Sequence, residues 1–97
     1  MDIKALEAKY GKRNLRLATV KTEDGDQYEF VLRKPTRSII KAVNASKGDE
    51  EKAEKIMASN CIVGGPMEAL EDGEVYLGII EQVGKLFKKA SVDVKKL

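Results

Sequence analysis

Cys61 is the one thiol in the chain, and the sequence contains no histidine to activate it. Nucleophilic catalysis needs a nucleophile, a base and a group that orients the base. With the base missing, Cys61 reads as a small apolar side chain on the inner face of a helix. The same absence of histidine, with no Cys–Cys spacing, removes zinc chemistry. Glu68, Glu71, Asp72 and Glu74 gather carboxylates, but not at the alternating positions of a calcium loop. No aromatic sugar platform accompanies them either, so they read as charge at the start of a helix. Gly64-Gly65-Pro66 is the only glycine-rich stretch. It lacks the lysine and hydroxyl residue of a phosphate-cradling loop, and no clear strand precedes it. It reads as a loop joining helices. No residue is assigned to catalysis, to a cofactor or to a metal, and the chain is expected not to be an enzyme.

Composition narrows the remaining functions. The chain has 97 residues, the length of one domain covering 1–97. Charged residues make up 35% and apolar residues 42%, so the core is thin and built from Ile, Leu, Val and Ala. A net charge of +2 is too small to argue for nucleic acid by itself, and no basic residues alternate with exposed aromatics as a stacking platform needs, so nucleic acid is not the expected partner. A single cysteine suits a reducing compartment. Met-Asp-Ile-Lys is not the start of a signal peptide, and no apolar run has the length of a membrane span. The expectation is a cytoplasmic protein without a membrane partner.

The elements that position these residues follow from apolar period. Tyr28, Phe30 and Leu32 alternate with Gln27, Glu29 and Arg33, as in a half-buried strand. Pro35 closes the strand, and Thr36 is placed to cap a helix. Residues 15–22 and 27–34 therefore form a hairpin around Asp24-Gly25. Leu15 and Leu17 fall on one face of the first strand and Ala18 and Val20 on the other, which predicts a bulge. Helices are expected over 2–10, 36–47, 49–61 and 72–89, giving an α+β fold of one hairpin packed by three to four helices. Residues 62–66 are a loop, and Met67 to Glu71 a single turn. Gly78 inside the last helix is expected to mark close packing of another backbone. Residues 90–97 are a tail, where Val92 and Val94 alternate as in an edge strand but chain ends also fray.

The last helix carries apolar residues over a wide arc: Val75, Tyr76, Ile79, Ile80, Val83, Leu86 and Phe87. Two readings stand. The arc is the central core of the domain, or part of it meets a protein partner or a second copy of the chain, a common use of a helix face. On the second reading the candidate partner-binding residues are Tyr76, Ile80, Val83 and Phe87. A separate alternative is a regulatory or nucleic-acid-associated module using the basic C-terminus: Lys85, Lys88, Lys89, Lys95 and Lys96.

Five stretches share a further property. They are the strand running into Leu32-Arg33-Lys34-Pro35-Thr36-Arg37; Asn60-Cys61-Ile62-Val63-Gly64-Gly65; Ala69-Leu70-Glu71-Asp72-Gly73-Glu74-Val75-Tyr76-Leu77; the helix with Glu81-Gln82-Val83; and the terminal Val94-Lys95-Lys96-Leu97. Over residues 28–97 they resemble the tail assembly chaperones of tailed phages. That resemblance implies a non-enzymatic protein in the host cytoplasm. It would associate with the tape measure protein, keep that long helical chain from aggregating, and help recruit tail tube protein. It also implies that a longer, frameshifted form is made in many members.

Overall fold

The computed structural model describes residues 1–97. A three-stranded antiparallel sheet, in the order β1-β2-β3, lies between one helix on one face and three on the other, an α+β arrangement. β1 (Leu15–Lys21) and β2 (Gln27–Arg33) are the predicted hairpin. Its turn is set by Thr22 and Gly25. The Thr22 hydroxyl accepts from the Asp26 amide at 3.0 Å, and the Thr22 carbonyl accepts from the Gly25 amide at 3.0 Å. Gly25, at φ +94°, takes the left-handed conformation that a three-residue hairpin loop requires.

The bulge expected in β1 is absent: pairing runs unbroken from Leu15 opposite Arg33 to Lys21 opposite Gln27. No bulge is needed, because only one of the two apolar sets of β1 is covered. Ala18 and Val20 share the face of Phe30 and Leu32, against the helical layer. Leu17 lies opposite Val31 on the other face and is 57% exposed, while α1 (Ile3–Tyr10) approaches that face further along, at Gly64. Asp2 caps α1 by accepting from the Ala5 amide at 3.1 Å, and Gly11 ends it. None of its residues is fully buried, so it is the least anchored helix.

A second correction concerns residues 62–66. Ile62–Gly64 is a strand, β3, paired antiparallel to β2 with Ile62 opposite Leu32 and Gly64 opposite Val31. Three residues are too few to show an alternating pattern, and the strand leaves its helix without a spacer. Both glycines at its end are used. A Cβ on Gly64 would lie 2.8 Å from Leu6 of α1 and 2.9 Å from the Met1 sulfur. Gly65, at φ +124°, would press a Cβ to 2.8 Å from the Glu29 carbonyl oxygen.

Three helices cover the other face. α2 (Arg37–Ala45) opens on Thr36, whose hydroxyl accepts from the Ile39 amide at 3.3 Å, and stops two residues short of the predicted 47. α3 (Glu50–Cys61) is capped by Asp49. After a 3-10 turn over Met67–Glu71, Asp72 caps α4 (Gly73–Lys85) by accepting from the Glu74 amide at 2.9 Å. α4 ends at Lys85 rather than 89. Gly84 weakens its last turn, and Leu86 and Phe87 leave the helix to pack against the core. The core itself is Phe30, Leu32, Ile39, Cys61, Ile62, Val75, Ile79 and Val83. Gly78 does not mark a close backbone: a Cβ there would meet only Val20, at 3.9 Å. Beyond Phe87 the residues are exposed and form no strand, so Val92 and Val94 pair with nothing. No helix is long and apolar enough to cross a membrane.

Candidate protein interface

α4 separates its apolar arc into inner and outer positions. Val75, Ile79 and Val83 recur every four residues and are fully buried against the sheet. Val83 is therefore withdrawn from the candidate surface: the stripe that faces Phe30 and Leu32 cannot also face a partner. Phe87 lies past the helix end, half-buried and packed against the core. Tyr76 and Ile80 sit one position round the helix from the core stripe. Both are half-exposed and lie outside the core cluster. Leu77 is 67% exposed on a further side.

Tyr76 is fixed toward α3. Its hydroxyl donates to Glu54 Oε1 at 2.5 Å across the two helices. That bond, with smaller contributions from desolvation and the carboxylate charge, pushes the Tyr76 pKa up to about 12. Beside it runs an open groove of about 650 Å³ between α3 and the 3-10 turn. Ala58, Ile62, Met67, Leu70 and Tyr76 make its apolar floor and wall, and Glu51, Glu54 and Lys55 line its rim. Met67, on that floor, is 44% exposed. A slightly larger cleft of about 700 Å³ lies under α1, but its lining is mostly polar or glycine.

Of the four residues singled out from the sequence, the structure thus places one at this groove, Tyr76, with Ile80 one turn along the same side. Met67, Leu70, Ala58 and the acidic rim escaped the periodicity argument. Met67 and Leu70 stand in a 3-10 turn with no repeat to read. Ala58 and Ile62 do carry a signal, being four apart at the end of α3 and in line with Glu54 and Glu51.

The other chemistry-bearing residues have structural work. Cys61 is completely buried, and burial pushes its thiol pKa up, opposed by the nearby Arg33 charge. Glu74 accepts from the Glu23 amide at 2.6 Å, clamping the hairpin turn to the start of α4. No three His, Cys, Asp or Glu side chains converge to hold a metal ion. Every buried side-chain polar atom has a partner, so none is left aimed into a cavity. Comparison with family models, with curated proteins and with solved structures finds no match for this chain.

Proposed function

We propose that the chain is a non-enzymatic protein-binding module of the tail assembly chaperone kind, acting in the host cytoplasm, and that the groove between α3 and the 3-10 turn is where it holds its client. The observation that supports this reading is the groove itself, an apolar floor left open beside a completed core. Its shape and polarity suit a helix laid in it by one apolar stripe. Two of its three charged rim residues, Glu51 and Glu54, are acidic, so the fitting helix carries Lys or Arg beside that stripe. A segment of the tape measure protein, long and helical, is the client that the sequence resemblance suggests. Recruitment of tail tube protein would follow as a second step.

Co-expression tests the reading. The tape measure protein from the same genome should stay in the soluble fraction with the chain present and sediment without it. Met67→Asp places a charge on the groove floor at an exposed position, and it should abolish the rescue while leaving the fold intact. If the tape measure protein sediments equally with and without the chain, the chaperone reading fails.

A further inference from the structure

We infer that the end of the molecule opposite the hairpin turn binds the phosphate backbone of duplex nucleic acid without reading base sequence. The net charge of +2 hides how the charges are sorted. The chain has four arginines, Arg13, Arg16, Arg33 and Arg37, and the fold brings all of them to this one end. Arg13 and Arg16 flank the start of β1, Arg33 ends β2, and Arg37 opens α2. The Lys34 amide donates to the Asn14 carbonyl at 2.8 Å and ties these segments together.

Lysines fill in between. Lys34 belongs to two neighbouring clefts, one shared with Lys9 and Arg33 and the other with Arg16, Lys88 and Lys89. No carboxylate lines either cleft. None of these cations has a carboxylate within 4 Å, since the one ion pair in the molecule joins Lys85 to Glu81. Two guanidiniums are also held in place. Arg16 donates to the Arg13 and Leu15 carbonyls at 2.9 and 2.8 Å, and Arg33 lies 4.9 Å from the Tyr10 ring centre. Fixed, unneutralised arginines are the arrangement that suits phosphate oxygens.

Two features select nucleic acid over an acidic protein. Protein interfaces centre on apolar or aromatic anchors and are depleted in lysine, whereas these clefts are lined by cations and polar groups with few apolar side chains. Tyr10, the one aromatic ring in them, already has the Arg33 and Lys9 cations 4.9 and 5.2 Å from its centre, which compete with stacking of an unpaired base. Contact is therefore to the backbone of a duplex. The acidic end, Glu23, Asp24, Asp26, Asp72 and Glu74, lies a seven-residue strand away. That is about 20 Å, more than two Debye lengths at physiological salt, so it does not cancel the attraction.

The surface is separate from the client groove, and its test does not depend on the chaperone reading. A labelled duplex of about 20 base pairs is titrated with the full chain at 50 and 200 mM salt. A footprint of about five phosphates predicts a loss of roughly 500-fold in affinity between the two. Arg13→Glu with Arg37→Glu should weaken binding at least ten-fold and lower the salt slope by about two. Lys47→Glu with Lys52→Glu removes the same net charge elsewhere and should leave affinity within about two-fold. All four positions are exposed, and unchanged circular dichroism would confirm that the variants fold. The inference is overturned by any of four results. These are no duplex binding at 50 mM salt, equal loss in the two double variants, tighter binding of the matching single strand, or equal competition by a glutamate-rich peptide of the same charge.

Discussion

At the scale of single residues, the glycines and Tyr76 give the sharpest tests. Gly78 and Gly84 sit in α4 with room for a methyl group, at 3.9 Å from Val20 in one case and in open space in the other. Each Gly→Ala change should stabilise the fold by about 0.5–1 kcal/mol. Thermal denaturation should read this as a rise of about 2–8 °C. Gly65→Ala should do the reverse, by about 2 kcal/mol, because its φ is left-handed and the Glu29 carbonyl blocks the space. The Tyr76 bond to Glu54 sets a pH dependence. Its folded pKa of about 12 lies above the ordinary 10.0, so the stability it adds is fully present below pH 10 and lost as pH rises through 12. An ultraviolet titration should show Tyr76 ionising late, and Glu54→Gln should bring it back toward 10.0.

At the scale of elements, the parts with a long apolar repeat were legible and the short ones were not. Tyr28, Phe30 and Leu32 marked β2, Thr36 and Asp49 marked two helix starts, and Asp72 marked a third. β3 was missed because three residues carry no period, and its two glycines resembled a loop until the approach of α1 and the β2 backbone explained them. The apparent conflict in β1 needed no bulge: the register is unbroken, and Leu17 is simply left 57% exposed on the side away from the helical layer. The α4 arc was correctly seen as wide, but spacing alone did not say which residues face inward. Val83 proved to be core, and the exposed floor of the groove came from the Met67–Glu71 turn instead. Thr36→Ala should cost about 1 kcal/mol by leaving the Ile39 amide without its cap, a shift visible in urea denaturation. Phe30→Ala, at the centre of the core, should cost about 3–5 kcal/mol, a large share of the roughly 5–15 kcal/mol that holds a domain folded.

At the scale of the whole molecule, a thin core is closed by the two residues that follow α4, and the chain beyond them adds nothing to that core. The longest dimension is 57 Å, and the Cα radius of gyration is 15.2 Å, against about 12.5 Å for a compact chain of this size. Removing residues 90–97 should therefore leave the melting temperature unchanged, whereas removal from Leu86 onward also strips two core-packed side chains and should lower it sharply. Charge is sorted along the same body, with acids at the hairpin turn and arginines at the opposite end, while the apolar groove opens on the helical side. The central claim concerns that groove, and calorimetric titration of the chain with a soluble helical segment of the proposed client, the tape measure protein, tests it most directly. The account predicts saturable binding that weakens at least about ten-fold, or 1.4 kcal/mol, in Met67→Asp, with the variant's melting temperature within a few degrees of the parent. Binding of equal strength by the parent and by Met67→Asp would contradict it.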